Sequence, residues 1–102
     1  MNIIDPKKFC MKKFIVERNL PGAGNLTAEE LQLISRSFCE AIDKLQKPYY
    51  WTESFITGDK IYCIHIAESA EVIREHARMS NFPVNIICEV SAIIDPLTSN
   101  DK

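Results

Sequence analysis

Apolar and polar residues alternate along Met11-Lys-Lys-Phe-Ile-Val-Glu-Arg18, which predicts a strand with Phe14 and Val16 on one face and Ile15 and Glu17 on the other. Leu20 to Asn25 is a loop by its proline and glycines. Thr27-Ala-Glu-Glu30 then matches a capping box, in which the threonine oxygen takes an early helix N–H and the glutamate reaches back. Behind it Leu31, Ile34, Phe38, Ile42 and Leu45 recur at helical spacing, the mark of one buried face, and Pro48 stops the helix. Tyr49 to Thr57, rich in aromatic and β-branched residues, predicts a second strand. Gly58-Asp59 predicts a hairpin turn of type II′, because glycine comes first. Lys60-Ile-Tyr-Cys-Ile-His-Ile-Ala67 is the third strand. Ser69 caps a second helix whose inward side holds Val72, Ile73, His76, Ala77 and Ser80, and Asn81 ends it. Ile86 to Ile94 is the last strand, closed by Asp95-Pro96.

The order is βαββαβ, the split unit of an α+β, ferredoxin-like fold. Right-handed crossovers place the first and third strands in the middle of a four-stranded antiparallel sheet, with both helices on one face. With Phe14, Val16, Tyr62, Ile64, Ile66, Cys88 and Val90 toward the helices, the other face carries Ile15, Glu17, Cys63, His65, Ile87, Glu89 and Ile93. The second strand adds either Trp51, Glu53 and Phe55, the preferred set, or Tyr50, Thr52 and Ser54. So apolar an uncovered face predicts a homodimer that packs sheet on sheet around a cavity. The domain is expected over residues 11–97, with residues 1–10 a loose extension, Met11 a candidate internal start, and residues 98–102 a polar tail.

The chain has 102 residues, enough for one ordinary core, and a hydrophobic fraction of 46% that fits a folded domain. A net charge of −2 gives no electrostatic case for nucleic acid. No apolar run approaches the roughly 20 residues that span a bilayer, and no secretory signal opens the chain. The cytoplasm is the expected compartment, with no membrane partner. Cys10, Cys39, Cys63 and Cys88 lie 24 to 29 residues apart, without a CxxC pair, so reduced thiols are expected rather than a zinc ribbon or disulfides. GxSxG, HExxH and P-loop motifs are absent from the sequence.

The candidate chemistry centres on Cys63 and His65, two apart on one strand and therefore on one face. With Glu17, Glu53 and Glu89 from the other strands they form a predicted cluster of thiol, imidazole and carboxylate. That donor set suits nickel, zinc, cobalt or copper better than magnesium or calcium. Carboxylates facing an enclosed apolar space also call for a cation. His76, on the buried side of the second helix, reads as a hydrogen-bonded core residue or as a further metal ligand at the helix–sheet junction. An alternative use of the cavity is enzymatic, oxygenase- or dehydratase-like, with His65 as general base beside Glu53 or Glu17. A small-molecule-binding module without chemistry is the third reading.

Lys13-Phe-Ile-Val-Glu-Arg-Asn-Leu-Pro-Gly-Ala-Gly24 and Leu26-Thr-Ala-Glu-Glu-Leu31 resemble the opening of a small bacterial domain family of largely unassigned function. The likeness continues through Trp51-Thr-Glu-Ser-Phe-Ile-Thr57, Lys60-Ile-Tyr-Cys63, Arg74-Glu-His-Ala-Arg78 and Phe82-Pro83 to Ile94-Asp-Pro96. The best-described branch of that family is nickel-binding and nickel-responsive, with paired ferredoxin-like folds. The resemblance implies a divalent-metal binder, a buffer or sensor of nickel, rather than an iron–sulfur protein. Of the candidate ligands, Cys63, His76 and Glu17 lie in the matching blocks.

Overall fold

A computed structural model describes residues 10–100, so the expected extension lies outside the described residues except for Cys10, and the expected tail lies within them up to residue 100. The elements are β1 (Lys12–Asn19), α1 (Ala28–Leu45), β2 (Tyr49–Ile56), β3 (Lys60–Ala67), α2 (Ala70–Ser80) and β4 (Ile86–Glu89), with short 3-10 turns at Ala23–Asn25 and Pro96–Ser99. The strands form one sheet in the order β2-β3-β1-β4, every neighbouring pair antiparallel. This is the ferredoxin-like α+β arrangement that the element order predicts.

The helix ends are built as their sequences dictate. Thr27 Oγ1 accepts from the Glu30 N–H at 3.1 Å, and Glu30 Oε1 accepts from the Thr27 N–H at 2.9 Å. Ser69 caps α2 through the Val72 N–H, and Asn81 ends it in the left-handed region, at φ 58°. The two helices cover one side of the sheet, and Phe14, Val16, Phe38, Leu45, Ile61 and Ile73 fill the space between. Fully burying a side chain such as Phe38 contributes about 1.5–3 kcal/mol.

The β2–β3 turn is not the predicted type II′, because Gly58 does not take the positive φ that turn needs. Thr57 closes it instead, its N–H donating to the Lys60 carbonyl at 2.9 Å and its hydroxyl bonding the Lys60 backbone. The turn is pinned from above by Gly24, whose N–H donates to Gly58 O at 3.0 Å. A Cβ at Gly24 would come within 3.2 Å of Gly58 Cα, so only glycine permits this approach without displacement.

Three further sequence expectations are corrected. β4 ends at Glu89 rather than Ile94, because its partner β1 begins at Lys12; the Val90 N–H still reaches Lys13 O at 2.8 Å, and then the ladder runs out. Asp95 caps the 3-10 turn rather than merely closing a strand, accepting from the Leu97 N–H.

The third correction concerns which faces are covered. Pairing of Phe14 with His65 and Val16 with Cys63 puts Ile61, Cys63, His65 and Ala67 beneath the helices, and Tyr62, Ile64 and Ile66 on the open side. In β4, Ile87 and Glu89 share the helix side, with Glu89 exposed at the rim, while Ile86 and Cys88 face the open side. β1 keeps its expected orientation. In β2 the register slips between Trp51 and Glu53, a bulge with Thr52 as the extra residue. Trp51 therefore faces the helices, whereas Glu53 and Phe55 face outward as expected.

Candidate functional site

The slip in β2 organises the first part of the site. In a regular strand residues 51 and 54 would lie on opposite faces. The extra residue places both on the helix side, where Trp51 Nε1 donates to Ser54 Oγ at 2.9 Å and Ser54 Oγ donates to Cys63 Sγ at 2.9 Å. The Cys63 sulfur is fully buried at the end of this relay. Cys10, Cys39 and Cys88 are exposed, and none of the four cysteines is in a disulfide.

Beside the thiol lies a buried aromatic and imidazole stack. His65 on β3 and His76 on α2 are both fully buried, with ring centroids 5.4 Å apart. Tyr49 stacks on His76 at 4.7 Å, and its hydroxyl contacts His65 Nδ1 at 2.6 Å. His76 Nε2 meets the Phe38 carbonyl at 3.1 Å. A carbonyl can only accept, so this nitrogen carries the proton and His76 Nδ1 presents a lone pair. The Tyr49–His65 contact satisfies both atoms in either sense. The far nitrogen, His65 Nε2, carries a proton when the phenol donates and a lone pair when it accepts. Neither His65 Nε2 nor His76 Nδ1 has a hydrogen-bond partner.

Burial decides the charge of this stack. It lowers the His65 pKa from 6.5 to about 3, with smaller contributions from His76 and Arg18. His76 is also lowered, chiefly by burial and less by Arg18, against the opposing bond to Phe38 O. Burial raises Tyr49 above the ordinary phenol value. At neutral pH the site therefore holds two neutral imidazoles and a protonated phenol.

Across Phe38 from the imidazoles lies Arg18, only 1% exposed. It shares the core face of β1 with Phe14 and Val16. Its guanidinium carbon sits 4.9 Å from the Phe38 ring centroid and 5.1 Å from that of Phe82. Nη1 donates to the Phe82 and Pro83 carbonyls at 3.0 and 3.1 Å, while Nε and Nη2 have no partner. The ion pairs among the described residues are Lys47–Glu75, Lys60–Glu17 and Arg74–Glu71, none of which involves Arg18. Burying an unpaired ion costs several kcal/mol, and cation–π contacts return only about 0.5–2 kcal/mol each. Arg18 and Tyr49 escaped the sequence reading. Parity marked Arg18, two residues from Val16, whereas Tyr49 shares a face with Trp51, which lies on the helix side because of the bulge in β2.

The predicted five-residue cluster is thus divided, and His76, read separately as a core residue or further ligand, joins part of it. Cys63, His65 and His76 lie between sheet and helices. Glu17 and Glu53 lie on the open face, where Lys60 Nζ holds Glu17 Oε2 at 2.8 Å, and Glu89 sits at the rim of the helix side. No three His, Cys, Asp or Glu side chains converge in a metal-holding arrangement among the described residues. The acid–base pairing of His65 with Glu53 or Glu17 is not formed either, since the sheet separates them. The open face carries Ile15, Phe55, Tyr62, Ile64, Ile66 and Ile86, the apolar surface that the sequence predicts, though drawn from a different set of residues. No helix among the described residues is long and apolar enough to cross a membrane.

Comparison with known proteins adds three findings. A family described as "Nickel responsive protein SCO4226-like" matches residues 14–90. The crystal structure of SCO4226 from Streptomyces coelicolor A3(2) superposes with a TM-score of 0.68 at 16% identity, covering 80% of this chain and 99% of that one. At that identity the likeness concerns the fold. No curated protein matches the chain significantly.

Proposed function

The chain belongs to the SCO4226-like family of nickel-responsive proteins, and from that premise we propose that it binds a divalent transition metal, nickel first, as a non-catalytic buffer or sensor. The observation that carries this reading is the pair of buried imidazoles whose outer nitrogens, His65 Nε2 and His76 Nδ1, have no partner. Each ring is already held through its other nitrogen, His76 by a backbone carbonyl and His65 by a phenol. Such outer-shell bonds orient metal-ligating histidines and fix their tautomers. Both rings are neutral at physiological pH, so no proton competes for the lone pair on His76, and turning the Tyr49 bond around frees the one on His65.

The third donor in this reading is Cys63, on the same strand face as His65. Its sulfur already accepts a bond from Ser54, which holds it toward the helix side of the sheet. Two imidazoles and a thiolate form a borderline-to-soft set that takes nickel, zinc, cobalt or copper in preference to magnesium or calcium. Cys63 does not converge on the imidazoles as the site stands, so binding requires it to close in. Glu17, Glu53 and Glu89 are not part of this set. We further infer a cytoplasmic homodimer formed through the open sheet face, whose apolar residues argue for a covering partner.

Calorimetric titration of reduced, untagged apo-protein with nickel chloride tests the reading, with thiolate-to-metal charge-transfer absorption followed alongside. Saturable heat and absorption are expected, both lost in His76→Ala and the absorption lost in Cys63→Ser, with Glu17→Gln and Glu53→Gln unchanged. A silent titration, or loss only in the glutamate variants, overturns the buried site.

A further inference from the structure

The Arg18 guanidinium is bound along one edge only. Nη1 is taken by the Phe82 and Pro83 carbonyls, whereas Nε and Nη2 are left over. Those two nitrogens form the side-on fork that matches the two oxygens of a carboxylate. Phe38 and Phe82, the rings on which the guanidinium lies, also wall a groove of about 330 Å³ between α1 and the end of α2. Leu33, Ile34, Ser37, Ser80 and Asn81 complete that groove.

We propose that the Nε–Nη2 edge of Arg18 binds the carboxylate of a small organic acid whose apolar body occupies the groove walled by Phe38 and Phe82. The charge count selects this ligand class. Arg18 is only 1% exposed and takes no part in the ion pairs among the described residues, so a single carboxylate balances it. The groove wall of Leu33, Ile34 and two phenylalanines suits a hydrocarbon body, and Ser37 and Asn81 lie at its polar margin. The rings stand between groove and guanidinium, their centroids 5.6 Å apart, so entry turns on a rotation of the half-buried Phe82. The Nε–Nη2 edge, rather than the imidazole pair, defines this site, and it is separate from the metal reading above.

Metal-free ¹⁵N-labelled protein at neutral pH tests the inference without involving that reading. Benzoate, butyrate and inorganic phosphate are titrated in turn while the Arg18 Nε–H resonance is followed. The resonance is assigned through its own side chain in the wild type and checked by its loss in Arg18→Lys. Both carboxylates should displace it saturably, at concentrations about tenfold below any effect of phosphate, the factor carried by one charge-assisted hydrogen bond. Phe82→Ala, which removes the ring that stands between groove and guanidinium, should speed the exchange of benzoate on and off the site. A resonance unmoved by either carboxylate overturns the site, as does a linear drift common to all three anions. Phosphate binding as tightly as benzoate overturns the ligand class.

Discussion

Acid should destabilise the metal-free protein from about pH 6.5 downward, a range above that in which carboxylates ordinarily titrate, and His65 supplies the reason. Its folded pKa is about 3, while the unfolded chain restores the ordinary 6.5. Between those values the unfolded state binds the proton and the folded state does not, so stability rises with pH. His65 therefore contributes nothing adverse above about pH 6.5. It removes about 1.4 kcal/mol per pH unit below that, and about 5 kcal/mol in full near pH 3. By about pH 4.5 the loss is about 3 kcal/mol, against a total stability of about 5–15 kcal/mol for an ordinary domain. His76, lowered for the same reason, acts in the same direction. Urea unfolding followed by Trp51 fluorescence, in chelator and at stepped pH, measures the effect. His65→Gln does not titrate and retains a polar group for Tyr49, so the stability difference between wild type and variant should change by about 3 kcal/mol from about pH 6.5 to pH 4.5. Parallel stability curves would refute the reasoning, as would an NMR titration placing His65 at its ordinary value.

Other predictions test separate parts of the molecule. Thr27→Ala removes the α1 cap and should cost about 1 kcal/mol, lowering Tm by about 4–8 °C in a circular-dichroism melt. An unchanged melt would show that the remaining helix start suffices. Gly24→Ala drives a Cβ to 3.2 Å from Gly58 Cα and 3.3 Å from Thr57 O, both backbone atoms, so about 1–3 kcal/mol should be lost. Equal denaturation midpoints would mean that loop and hairpin separate freely. Ile64→Glu, at the middle of the open face, should halve the mass by sedimentation while the circular-dichroism spectrum holds. A monomeric wild type would exclude the sheet-on-sheet dimer.

The sequence was legible wherever one local pattern had one physical solution. The capping box at Thr27, the inward face of α1 and the left-handed stop at Asn81 each follow from residues a few positions apart, and each is present. Strand order followed from connection rules. The covered face of β3 was not legible, because both of its faces are apolar. Tyr62, Ile64 and Ile66 are bulkier than Ile61, Cys63 and Ala67, yet pairing with Phe14 and Val16 puts the smaller set inside. Inverting that strand separated His65 from Glu17 and Glu53 and brought it to His76. The bulge at Thr52 was equally hidden. No glycine or proline marks it, and it reverses parity midway, so no single alternation could fit both Trp51 and Phe55.

That irregularity also bears on how copies of the protein can meet. β2 is a rim of the sheet, where a straight run of free N–H and C=O groups would invite a strand from a neighbouring molecule. The surplus residue throws those groups out of step after the first three positions, so an incoming strand could zip along neither half for long. At the opposite rim β4 offers only four residues, too short a template for fibrous growth. Lateral polymerisation is thereby discouraged at both borders, which leaves the broad oily floor between them as the surface that the proposed pairing would have to use.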